Sequence, residues 1–138
     1  NPDAGKALRY RKQLDRDDLL LFYNVSAEFA YSIDQRPLKE RAKSAVFSSI
    51  PDAILVSGPI TGESVDLNDI KSVKETLKDI PVLANTGVKI SNVDKILDIA
   101  DGAIVGSSLK VDGNTWNQVD KERAKEFMNQ VKKIRENG

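Results

Sequence analysis

Four times along this chain a short apolar run breaks off into small, polar or glycine residues and gives way to a helix-like segment. The runs are Leu19 to Val25, Ala53 to Val56, Val82 to Ala84 and Ala103 to Val105. Leu19 to Val25 is apolar but for Asn24 and reads as a strand covered on both faces would. Strands alternating with one-sided helices imply parallel strands joined by right-handed helical crossovers. The sequence therefore predicts an α/β fold of four parallel βα units.

The helical segments are read from spacing and capping. A short charged segment with Ala7, Leu8 and Tyr10 ends near Gln13. Pro37 is a good first helical residue, and Leu38, Ala42, Ala45 and Val46 follow on one face. Asp66 is placed to cap a helix carrying Leu67, Ile70, Val73 and Leu77, and Asp69 adds negative charge at its positive end. Ser91 and Asp94 resemble a capping box before Val93, Ile96 and Leu97. The last helix follows Asp120 and presents Ala124, Phe127, Met128, Val131 and Ile134. No linker, low-complexity tract or charge block divides the chain, so residues 1–138 are expected to form one domain.

Composition removes several classes of function. Lys+Arg and Asp+Glu both number 21, and basic residues sit beside acids, as in Lys121-Glu122-Arg123, so a nucleic-acid partner is not expected. The chain has neither cysteine nor histidine, which excludes thiolate metal sites, a cysteine nucleophile and a Ser-His-Asp triad. No metal or cofactor is expected. No apolar run is long enough to span a bilayer, and there is no signal core at the start, so a soluble, intracellular, cytoplasmic protein is expected. Import into an organelle stays open, because the chain begins Asn1-Pro2-Asp3 without an initiator methionine.

In a parallel sheet all the strand C-terminal ends open onto one face, so the four breaks gather there. Asn85-Thr86-Gly87 and Gly106-Ser107-Ser108 carry small residues that admit a ligand and allow close backbone approach. In (βα)8 barrels the loops after the last two strands often bind phosphate, so Thr86, Gly87, Gly106, Ser107 and Ser108 are the expected phosphate-binding residues. Singly, each glycine is more often only a turn residue. Ser57-Gly58 with Thr61, and Asn24 at the end of the first run, are candidate substrate-loop residues on the same face.

Catalytic roles are unassigned. Glu28 stands as a candidate general base, and Lys110 and Asp112 as a candidate charge pair, yet a lone loop glutamate or a loop Lys-x-Asp pair is more often solvated. Trp116 is expected to pack its loop onto the last helix.

The segment Gly106-Ser107-Ser108-Leu109-Lys110-Val111-Asp112-Gly113, then Asn117-Gln118-Val119-Asp120, Arg123 and Glu126-Phe127-Met128, resembles the end of the BtpA/SgcQ family of (βα)8 barrels. Ala53 to Gly58 with Thr61-Gly62, Pro81-Val82-Leu83 with Gly87-Val88, and Asp101 to Gly106 fall in the same order, as do Gly5 and Leu8-Arg9-Tyr10-Arg11. The resemblance implies a TIM-barrel-like fold in which the four units correspond to strands five to eight, the C-terminal half. A lone half-barrel leaves open edges, so either a homo-oligomer or a missing N-terminal half is expected.

The family resemblance implies no general reaction. One cyanobacterial branch is linked to photosystem I accumulation and another to carbohydrate-gene clusters. Where the family pattern has an Asp-Val followed by a Lys-His pair, this chain reads Asn24-Val25-Ser26-Ala27-Glu28-Phe29. Two functions are therefore expected to compete: binding of a phosphorylated small molecule at the strand ends, and a noncatalytic assembly or biogenesis role for the scaffold. A phosphate-receiver domain is disfavoured because the first strand lacks the clustered acids that would hold a magnesium ion.

Overall fold

The four apolar runs form one parallel sheet with strand order β1-β2-β3-β4, as the computed structural model shows for residues 3–60 and 63–136. The strands are β1 (Phe22–Asn24), β2 (Ala53–Ser57), β3 (Val82–Asn85) and β4 (Gly102–Ile104). The helices are α1 (Ala4–Gln13), α2 (Leu38–Ser49), α3 (Leu67–Thr76), α4 (Val93–Leu97) and α5 (Lys121–Glu136). Because the connections are helical and the order is sequential, every strand points the same way and every strand end opens on one face.

Register divides the sheet into two unlike faces. Ile54 pairs with Val82 and Val56 with Ala84, and all four are fully buried against the helices. Ile70 and Val73 of α3, Val93 and Ile96 of α4, and Phe127 and Val131 of α5 complete that core. Each of the valine, isoleucine and phenylalanine side chains contributes about 1.5–3 kcal/mol through removal from water. The other face carries Leu55, paired with Asn24 and Leu83, and the row Ser57, Asn85 and Ile104. There Leu55 and Leu83 are only half-buried and Ile104 is 42% exposed.

Three expectations are corrected. Leu19 to Val25 is not a strand covered on both faces: β1 spans only Phe22–Asn24, and Leu19 and Leu20 are exposed. The reason is position, since β1 is an edge strand paired to β2 alone. Ser91 and Asp94 do not form a capping box, because α4 starts one residue later with Asn92 at its N-cap and no capping side chain. Trp116 does not pack onto α5 but is 92% exposed; its loop is held instead by an antiparallel bridge from Lys110 to Val119 and by Asn117 Nδ2 donating to the Val111 carbonyl at 3.0 Å.

The expected cap at Asp66 is present, and Asp120 caps the last helix as well. The Asp66 carboxylate accepts from the Asn68 amide at 2.8 Å, and Asp120 accepts from the Glu122 and Arg123 amides at 2.9 and 3.1 Å. Pro37 lies just outside α2, with extended backbone, and Leu38 is the first helical residue. Among the described residues, no helix is long and apolar enough to cross a membrane.

Candidate functional site

The turn after β3 is built by two consecutive left-handed residues, Thr86 at φ 73 and Gly87 at φ 62. Gly87 is required sterically: a Cβ there would lie 2.3 Å from the carbonyl carbon and oxygen of Glu63. Gly58 is pressed by the same segment, its hypothetical Cβ falling 2.6 Å from the Glu63 oxygen. A β-branched residue at positive φ is strained, and such strain persists only where surrounding contacts enforce it. For Thr86 those contacts are its hydroxyl, which accepts from the Gly58 amide at 2.8 Å and donates to the Glu63 carbonyl at 3.1 Å. Asn92 braces the turn from below by donating to the Gly87 carbonyl at 3.0 Å and accepting from the Lys89 amide at 2.7 Å.

The turn after β4 differs. Gly106 sits at φ −124, and a Cβ there would meet nothing within 4 Å, so this glycine leaves open space rather than relieving a clash. Ser107–Leu109 then form a single 3-10 turn. Ser108 Oγ donates to the Val88 carbonyl at 2.7 Å and so ties this loop to the one before it. Ser107 Oγ shares a 2.6 Å hydrogen bond with Thr115 Oγ1, and Lys110 Nζ donates to the Thr115 carbonyl.

Between the two turns lies a cleft of about 200 Å³, lined by Thr86, Gly87, Gly106, Ser107 and Ser108 and also by the charged side chains Glu28, Lys89 and Lys110. The amides of Thr86, Gly87, Val88, Gly106, Ser107 and Ser108 have no acceptor among the described residues. Six unengaged N–H groups around one small opening can accept an anion from two sides. A wider cleft of about 590 Å³ shares Lys89, Ser107 and Ser108 and extends to Arg123 and Phe127.

The remaining sequence candidates lie elsewhere. Ser57 is buried and accepts from Asn24 Nδ2 at 2.6 Å and Asn85 Nδ2 at 2.9 Å, so it knots three strand ends together. Its amide donates to Ser26 Oγ at 2.8 Å. Asn24, Ser57 and Gly58 are thus engaged in structure and do not line the cleft. Asp112 is exposed at φ 56 outside it, and Thr61 lies outside the described residues.

Sequence reasoning passed over Val88, Ile104 and Thr115, which also line the opening, and it gave Asn85 no role of its own. Asn85 had a signal, since a polar residue closing an apolar strand directly before a Thr-Gly turn is placed at the ligand face. Thr115 had none, because it is brought in by the fold of its loop. Among the described residues, no group of three acidic side chains gathers as a metal-ligand set.

Parallel strands in sequential order, joined by helices, are the architecture of TIM barrels. The solved phosphoribosylanthranilate isomerase of Pyrococcus furiosus matches with a TM-score of 0.68 at 17% identity, over 96% of this chain and 59% of that one. The Thermus thermophilus phosphoribosyl anthranilate isomerase matches at 0.58 and 13%, over 97% and 70%. These likenesses define a TIM-barrel-like fold.

Within that class the chain belongs to the BtpA family, whose model matches residues 1–133. It is 38% identical to the sgc region protein SgcQ of Escherichia coli (strain K12) over 96% of this chain and 50% of that protein. It is 29% identical to the photosystem I biogenesis protein BtpA of Synechocystis sp. over 91% of this chain and 44% of that protein. The chain spans about half the length of the curated relatives it matches.

Proposed function

We propose that this chain is the phosphate-binding half of a BtpA-family barrel and holds a phosphorylated small molecule at its strand ends. The observation that carries this reading is the set of six unengaged amides, from Thr86 to Val88 and from Gly106 to Ser108, on one cleft. The reading is supported by position, since β3 and β4 stand for the seventh and eighth strands, whose loops commonly bind phosphate in such barrels. It is also supported by the fold neighbours, whose names denote a phosphoribosyl substrate. Lys89 and Lys110 line the same cleft, and the hydrogen bond from Lys110 to the Thr115 carbonyl leaves its positive charge in place, so both add favourable charge beside the amides.

Gly106→Trp tests the proposal, because the indole has open space to enter. Calorimetric binding of inorganic phosphate should be lost while thermal stability is kept; undiminished binding by the variant would refute the site.

The second reading is a noncatalytic assembly role. It is favoured by Asn24, whose carboxamide is bound into the Ser57 knot where the family pattern has an acid, and by the name of the Synechocystis relative. In that case association with the partner protein should survive Gly106→Trp, and loss of both phosphate and partner together would disfavour it.

The sheet's other face calls for a cover. The chain exposes 9367 Å², against roughly 7,100 Å² for a compact monomer of this mass. The half-exposed Leu55–Leu83 face and the open edges at β1 and β4 are best closed by four further βα units, supplied by a second copy or by an N-terminal half.

A further inference from the structure

The cleft is chemically lopsided, and the lopsidedness concerns what the ligand carries besides phosphate. Its two turns contribute six amides that have no acceptor among the described residues, and Lys89 and Lys110 line the opening beside them. Acceptors sit at the same opening. The Glu28 carboxylate lines it and makes no hydrogen bond or ion pair among the described residues. Asn85 lines it too, and because its Nδ2 is fixed on Ser57 Oγ at 2.9 Å, the amide oxygen Oδ1 is the atom left for a ligand. Val88 and Ile104 supply apolar wall.

A carboxylate next to a bound phosphate is repulsive unless something between them satisfies both. A ligand whose phosphate faces the amides and whose hydroxyls donate to Glu28 and Asn85 satisfies both. An opening of about 200 Å³ is smaller than the roughly 300–1,000 Å³ that houses drug-sized molecules, so the ligand is small.

Building on the proposed phosphate site, we infer that its ligand is a phosphorylated polyol, whose hydroxyl groups are read by Glu28 and the Asn85 carbonyl oxygen. Glu28 thereby sets specificity, discriminating against phosphate monoesters that lack donors, since a site built to bond a hydroxyl leaves its acceptors unpaired when the hydroxyl is missing.

Calorimetry on the full chain in its assembled form separates this inference from the reading beneath it. The probes are inorganic phosphate, propyl phosphate, glycerol 1-phosphate and O-phosphoethanolamine. Glycerol 1-phosphate should bind about tenfold tighter than propyl phosphate, the scale of a hydrogen bond to a charged acceptor. In Glu28→Ala and Glu28→Gln that advantage should shrink severalfold, while inorganic phosphate binds as well as before or better, having lost a like charge.

If glycerol 1-phosphate gains nothing over propyl phosphate, or keeps its full advantage in both Glu28 variants, the inference fails and the phosphate site stands. Preference for O-phosphoethanolamine over glycerol 1-phosphate would also overturn it, because the carboxylate would then be reading an ammonium. If even inorganic phosphate fails to bind, the phosphate reading itself falls and takes the inference with it.

Discussion

Ile50 ends α2 in the left-handed conformation, φ 46 and ψ 58, with its side chain 66% exposed. A β-branched residue there is strained and its side chain gains little from burial, whereas glycine takes this C-terminal position freely. Ile50→Gly should therefore stabilise the protein by about 1 kcal/mol, read as a rise in melting temperature; no rise would mean that Ile50 makes a compensating contact. Gly87→Ala should do the opposite. The added methyl meets the Glu63 backbone at 2.3 Å, so soluble folded protein should fall sharply, while Gly106→Ala, with open space, should leave the melting temperature unchanged.

The sequence made the Gly87 turn visible, because glycine after a short strand is a turn signal in its own right. It could not reveal that Thr86 shares the left-handed conformation, since a threonine normally avoids it. Nor could it show that the Thr86 hydroxyl, an expected phosphate donor, is engaged with Gly58 and Glu63, partners 28 and 23 residues away.

At the scale of elements, Asp101 joins three of them. Its carboxylate takes the Lys74 ammonium of α3 at 2.6 Å and the Val82 amide of β3 at 2.8 Å, just before β4 begins. Burial pushes this carboxyl up, but the lysine and the amide together outweigh it and hold it below the ordinary carboxylate range. A carboxyl whose folded pKa is depressed contributes stability above its unfolded pKa and loses it as pH falls through the folded one. Asp101→Asn should thus cost about 1 kcal/mol at neutral pH, reduced by solvent screening of a partly exposed pair, and the difference from wild type should vanish in acid. A pH-independent difference would assign the effect to packing instead.

Asp34 behaves in the same sense: beside Arg36 it is held down at about 2, so its ion pair should persist until strongly acid pH. Ser57→Ala should cost about 1–3 kcal/mol in urea unfolding, because it leaves the Asn24 and Asn85 carboxamides without their common acceptor.

Helices were the readable elements. The apolar spacing of α2, α3 and α5 and the cap at Asp66 are local facts, and the structure repeats them. The extent of β1 was not readable, because the exposure of Leu19 and Leu20 depends on which strand lies at the sheet edge. The cap of α4 also escaped, since Asn92 serves the tertiary turn at Gly87 rather than its own helix.

For the whole molecule, fourfold alternation made a parallel βα sheet legible from sequence, while the half-buried state of Leu55 and Leu83 on its second face follows from packing that alternation does not specify. The surface excess and the half-length match to relatives lead to one expectation. Studied alone by light scattering, the 15.2 kDa chain should run as a dimer or larger assembly. A monodisperse, cooperatively unfolding monomer would show that the open edges need no partner.

If the two turns after β3 and β4 form one phosphate cradle, titrating the isotope-labelled assembled chain with inorganic phosphate while following its amide resonances reads the cradle at its own donors. Saturable shifts are expected at Thr86, Gly87, Val88, Gly106, Ser107 and Ser108, from both turns together and with one common affinity. Shifts confined to other residues, or none at these six at saturating phosphate, would contradict it.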